Sequence, residues 1–215
     1  MERHRIAYID ESNDELIRFQ QRMDDTFEVF ATLPQPNLDE FVHELLTLNV
    51  KAFVADFRLN EYRSDTQGTI AYNGAELIEA LLSIRQGFPC FVLTSYDNDA
   101  VTEIGDVNYV YPKEILTTSI GQVPLAEKIR IQIEHYQARI AKSNARFHEL
   151  LRKSELTELT EVEENELLNL DSYLERSLNS HNVLPPEKKE LLSIGRLNDL
   201  IESTQNLLKA LREQK

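Results

Sequence analysis

Val50-Lys51-Ala52-Phe53-Val54-Ala55-Asp56 is an apolar run, rich in β-branched and aromatic residues, that stops at a single carboxylate. Three other runs end the same way. Arg5-Ile6-Ala7-Tyr8-Ile9 is closed by Asp10-Glu11, and Cys90-Phe91-Val92-Leu93 by Thr94-Ser95. Val107-Asn108-Tyr109-Val110-Tyr111-Pro112 is followed by Lys113. A further run from Phe27 to Leu33 ends at Pro34 and Pro36. Short runs of this kind, alternating with helical patterns, read as strands of a parallel sheet buried on both faces. The fold class predicted is therefore α/β, a doubly wound five-stranded parallel sheet. In such sheets functional groups gather at the carboxyl ends of the strands, beside the topological switch point. Asp10, Glu11, Asp56, Thr94 and Lys113 should then converge on one rim.

Helical signals fill the gaps between the strands. Ser12 or Asn13 can cap a helix carrying Leu16, Ile17 and Phe19; Asn37 or Asp39 opens one with Phe41, Val42, Leu45, Leu46 and Leu48 on its apolar face. A third helix, about 73–86, stops at Gly87 and Pro89. Asp97, Asn98 and Asp99 can cap a short fourth helix ending at Gly105. The stretch from Phe57 to Tyr72 has no clear period and is longer than βα loops usually are, so it reads as an insertion beside the rim.

The order and spacing of the strand-end residues across 4–122 resemble the receiver domain of bacterial two-component response regulators, whose fold is flavodoxin-like. Asp56-Phe57-Arg58-Leu59 is similar to that family's phosphoacceptor region, and Asn73-Gly74-Ala75-Glu76-Leu77 to its Gly-led third helix. The resemblance implies that Asp56 is the phosphoacceptor and that Asp10, Glu11, Asp56 and the backbone carbonyl of Arg58 hold Mg²⁺. Hard oxygen donors of this kind suit that ion. It further implies that Thr94 hydrogen-bonds a phosphoryl oxygen and that Lys113 offers a positive charge to the anion. A histidine kinase or another phosphodonor would be the upstream partner. The only chemistry expected is the receiver's own phosphorylation and dephosphorylation, so the chain is not read as an enzyme in the wider sense.

Two departures from the family pattern stand out. The family has Pro directly after the strand-five Lys, whereas here Pro112 precedes Lys113 and Glu114 follows it. The family's switch aromatic lies three residues before that Lys, where this chain has Val110 flanked by Tyr109 and Tyr111; the choice between the two tyrosines stays open.

Beyond Gly121 the chain changes character, and the domains are drawn as 1–122, receiver-like, and 123–215, an α-helical output or docking module. Pro124 suits the first turn of a long helix. Ile129, Ile133, Tyr136, Ile140, Phe147 and Leu150 follow at heptad spacing, with Ser143 the polar break. Residues 124–153 hold seven Lys/Arg against three Asp/Glu, whereas 155–175 hold eight Asp/Glu and no base. Leu156, Leu159, Val162, Leu167, Leu170 and Leu174 give the second stretch its own stripe. Opposite charge on successive helices favours an antiparallel hairpin. After Pro185-Pro186, Ile194, Leu197, Ile201, Leu208 and Leu211 mark a third helix, a candidate for contact with a partner or a second copy as a homodimer.

Composition sets the outer bounds. Hydrophobic content is 41% and charged content 28%, as in globular proteins. Net charge is −14, and residues 1–122 carry 9 Lys/Arg against 21 Asp/Glu. DNA and RNA binding normally need the opposite sign. No apolar run reaches the length of about 20 residues that a membrane span needs. With no signal-peptide pattern before the first strand and Cys90 alone, the expected location is cytoplasmic. Two rival functions remain. One is a degenerate receiver acting as a constitutive scaffold; the other is a phosphorelay intermediate that also uses His148, since Phe147-His148-Glu149-Leu150 resembles the start of a histidine-kinase phosphoacceptor helix.

Overall fold

The computed structural model describes residues 3–61, 63–64, 68–95, 110–116 and 123–178. Five strands pair in parallel: β1 (His4–Ile9), β2 (Phe27–Thr32), β3 (Phe53–Asp56), β6 (Cys90–Thr94) and β7 (Val110–Pro112), in the spatial order β2-β1-β3-β6-β7. Chain order reverses direction between β1 and β3, which puts the switch point between the ends of those two strands. The predicted doubly wound, flavodoxin-like sheet is the one observed.

Alternation along each strand sends its side chains to both faces, and each face is covered by helices. On one face Ile6, Tyr8, Val54, Phe91 and Leu93 pack with Leu16, Phe19 and Met23 of α1 (Asn13–Met23) and with Leu125, Ile129 and Ile133 of α4 (Leu125–Leu156). On the other, α3 (Gly74–Ile84) lies against β3 and β6 and beside α2 (Leu38–Thr47). Helix entry follows local chemistry. The Asn37 side chain accepts from the Glu40 N–H at 3.3 Å, and Asn73 with Glu76 forms a reciprocal capping box. Gly87 takes φ +69°, the left-handed conformation that glycine adopts without strain, just after α3.

The insertion has structure of its own. A 3₁₀ turn, Leu59–Glu61, leads to the two-residue antiparallel pair β4 (Arg63–Ser64) and β5 (Gly68–Thr69). Leu59, Ile70 and Tyr72 anchor it by burial, and the Tyr72 hydroxyl donates to the Gln35 carbonyl at 2.6 Å.

The chain divides into compact units at Arg139 and Ile140. The first unit thus runs on past residue 122. Leu125, Ile129 and Ile133 belong to the sheet's core and Tyr136 meets Phe88 edge-on at 5.4 Å, so the first part of the heptad stripe serves the α/β unit. In the second unit, the rest of α4 and α5 (Glu161–Leu178) bury Phe147, Leu150, Leu167 and Leu174 together. Arg146 meets Glu166 through two bonds of 2.8 and 2.7 Å, and Lys153 meets Glu163 at 2.5 Å. The later residue of α4 thus pairs with the earlier residue of α5, so the two run antiparallel as the charge pattern predicts. Leu156 and Val162, expected in the buried stripe, are instead 85% and 75% exposed. They flank the turn between the helices, where Leu159 is the residue packed against the cluster. The predicted fourth helix at 97–104, Tyr109 and the whole segment from Pro185 onward, with its terminal stripe, lie outside the described residues.

Candidate functional site

The rim is assembled by four strand ends. Asp10 follows β1 and is fully buried; Glu11 is half-buried beside it. Asp56 is the last residue of β3, in register with Leu93, which places it next to Thr94, the buried last residue of β6. Lys113 follows Pro112 and opens a 3₁₀ turn, Lys113–Leu116. Its ammonium lies 2.6 Å from Asp56 Oδ1 and 3.2 Å from Asp10 Oδ2. Pro112 in front of the lysine therefore does not prevent its reach.

Donors fix the carboxylates. Asp56 Oδ2 accepts the Arg58 N–H at 2.8 Å. Arg58, whose carbonyl is the expected ligand, thus reaches the site through its amide. Asp10 Oδ1 accepts the Ser12 N–H at 2.9 Å, and Oδ2 accepts the Tyr8 hydroxyl at 2.6 Å. A second backbone constraint comes from α3. A Cβ built on Gly74 would stand 1.9 Å from the Asp56 carbonyl oxygen, so only glycine lets α3 come this close to the end of β3. Gly74 N–H donates to the Phe57 carbonyl at 2.8 Å, tying the two together.

Ligand atoms of Asp10, Glu11 and Asp56 all lie within 4.8 Å of one another, the group among the described residues with metal-ligand spacing. Such crowding raises the cost of charge. Burial, and then Asp10 and Asp56, push Glu11 up to about 8. Burial also raises Asp56, although Lys113 opposes the shift. For Lys113, burial disfavours the charge, but Asp56 and Asp10 outweigh it and hold the ammonium above its ordinary value. Glu11 Oε2 is buried and has no hydrogen-bond partner. Three carboxylates against one ammonium, with one carboxylate oxygen left unpartnered, make a donor set suited to a hard divalent cation.

Of the two tyrosines offered as switch aromatic, Tyr111 lies among the described residues. The half-buried Tyr111 ring lies 5.6 Å from that of Phe91, and Lys128 Nζ is 5.2 Å from its centroid. His148 is exposed, on the part of α4 that belongs to the helical unit, with its ring edge-on to Phe147 at 5.5 Å. Sequence reading missed Tyr8 as a site residue. The signal was present in its spacing, since i and i+2 along a strand point the same way.

No family model and no curated protein matches this chain. Among solved structures, it is similar to a CheY-like response regulator receiver domain protein from Methanospirillum hungatei, at 16% identity over 64% of this chain and 99% of that one, TM-score 0.46. A receiver domain protein from Clostridium thermocellum aligns at 13% identity over 63% and 98%, TM-score 0.45. The receiver domain of an HD-domain protein from Pseudomonas fluorescens aligns at 15% identity over 65% and 93%, TM-score 0.45. The similarity is one of fold, and it leaves the C-terminal helical part unassigned. No described helix is long and apolar enough to cross a membrane.

Proposed function

We propose that this chain is a response-regulator-like signalling protein whose α/β unit accepts a phosphoryl group on Asp56 with Mg²⁺ and thereby controls protein–protein contacts of the helical module. The observation that carries the reading is the junction of Lys113 with both Asp56 and Asp10, beside the unpartnered oxygen of Glu11. The donor set fits Mg²⁺ by number, type and spacing. Asp10, Glu11 and Asp56 would hold it, with the Arg58 carbonyl as a further ligand. When bound, the ion supplies positive charge that neutralises the incoming phosphoryl oxygens.

The chain's residues do the rest. An Asp56 carboxylate oxygen attacks phosphorus, the bond from phosphorus to the donor's leaving group breaks, and that group departs with the electron pair. The product is an acyl phosphate. Lys113, freed from part of its pairing with Asp56, turns its charge to the new anion. The Thr94 hydroxyl, at the end of the neighbouring strand, can donate to a phosphoryl oxygen. Tyr111, packed on Phe91 and preceding Lys113 by two residues, is one of the two tyrosines that could report that change along β7. The output is read as protein binding, either to a partner or to a second copy; the strong negative charge speaks against nucleic acid.

Acetyl phosphate with Mg²⁺, followed by intact mass measurement, tests this. One phosphoryl adduct in the wild type, absent without Mg²⁺ and absent in Asp56→Asn, is expected. An unmodified wild-type mass would overturn the reading.

A further inference from the structure

Tyr8 is fully buried, with its ring stacked on Phe19 at 3.8 Å between centroids and 12° between planes. Its hydroxyl donates to Asp10 Oδ2 at 2.6 Å, the oxygen that Lys113 also reaches at 3.2 Å. With the Ser12 N–H on Oδ1 at 2.9 Å, Asp10 is held by three donors, whereas the adjoining Glu11 Oε2 has none. The acidic pair is thus split. One carboxylate is satisfied by the protein itself and the other is left open at one oxygen.

The geometry points to Tyr8 as a positioning residue that stabilises the Asp10 charge in the cation-free rim and so weakens divalent-cation binding. This rests on the metal reading given above. A phenol bonded to a buried carboxylate is worth most when no cation draws on the same charge, because the low-polarity surroundings strengthen it. That stabilisation of the cation-free state is subtracted from the gain when the cation arrives. Removing an outer partner usually weakens a metal site by loosening its ligand. Here the opposite sign follows, because Ser12 and Lys113 still hold both oxygens of Asp10 and a phenylalanine ring would keep its stack on Phe19.

Calorimetric titration of Mg²⁺ into the full chain tests this with wild type, Tyr8→Phe and Phe19→Leu, each first shown to be folded by circular dichroism. Tyr8→Phe should bind Mg²⁺ about five- to tenfold more tightly, the scale of one ordinary intramolecular hydrogen bond. Its cation-free melting point should fall, and Mg²⁺ should raise it by more than in wild type. Phe19→Leu, which loses the stack and keeps the phenol, should show no tightening. Wild type that binds Mg²⁺ and a Tyr8→Phe variant with equal or weaker affinity would overturn the role of Tyr8 alone. Equal tightening in Phe19→Leu would assign the effect to packing and also overturn it. No binding by either wild type or Tyr8→Phe would remove the metal reading and this inference together.

Discussion

Lysine, arginine and carboxylates meet in both compact units, to opposite ends. In the hairpin, Arg146 is 37% exposed and is shared between Glu166, 39% exposed, on the other helix and Glu149 on its own. At the rim, Lys113 is 19% exposed while Asp10 and Asp56 are almost wholly buried, and a third carboxyl, Glu11, stands beside them with a buried oxygen that has no hydrogen-bond partner. Exposed balanced pairs cost little and contribute little, so they set the register of two helices and no more. Buried unbalanced charge is expensive. A fold keeps it where a guest cation or a reaction repays the cost, and this is why the rim reads as chemistry and the hairpin as architecture.

The largest effect is expected in the hairpin's core. Phe147→Ala removes the biggest side chain of a small cluster and should destabilise the helical unit by about 4 kcal/mol. Chemical denaturation should show helix loss while the α/β unit keeps its own transition; a single unaltered transition would contradict the division into two cores. Gly74→Ala comes next, at about 3 kcal/mol, because its Cβ would collide with the Asp56 carbonyl. Melting curves check it, and a variant as stable as wild type would show that α3 can move away from the rim freely.

Lys113→Ala should cost about 2 kcal/mol in the absence of Mg²⁺, less than for a fully buried pair because solvent reaches part of the lysine. Millimolar Mg²⁺ should restore most of that loss, and a failure to restore it would mean the carboxylates do not share a cation. Arg146→Ala stands at the other end of the scale. It should leave the melting point almost unmoved, and the small difference should vanish at high salt. A large, salt-resistant loss would erase the contrast between the two units.

The sequence disclosed the rim because each candidate residue lies where an apolar strand ends, and strand ends are visible without knowledge of packing. Asp10, Glu11, Asp56, Thr94 and Lys113 all arrive where the alternation places them. Tyr8 was hidden by its own composition: a tyrosine inside a strand reads as core, and its hydroxyl's partner is set by three-dimensional reach. That the compact α/β unit runs on past residue 122 was hidden for a different reason. Ile129, Ile133 and Tyr136 keep the same spacing as Phe147 and Leu150, and that spacing cannot say whether a sheet or a helix lies opposite. Leu156 and Val162 likewise fit the stripe, but at the turn it is Leu159 that packs against the cluster, and spacing alone does not choose among them.

The central claim, that the surplus rim charge is kept for a divalent cation, is tested most directly by calorimetric Mg²⁺ affinity measured across pH in wild type and Glu11→Gln. Glu11 is pushed from 4.5 up to about 8, so in the cation-free fold it keeps its proton through neutral pH. Its contribution to stability is present below 4.5 and is lost as pH rises through about 8. Mg²⁺ must displace that proton. Affinity should therefore rise up to about tenfold per pH unit until Glu11 is ionised and then level off. In Glu11→Gln, binding should be weak and its pH slope gone. A wild-type affinity that is flat with pH, or a Glu11→Gln variant that matches wild type, would contradict the account.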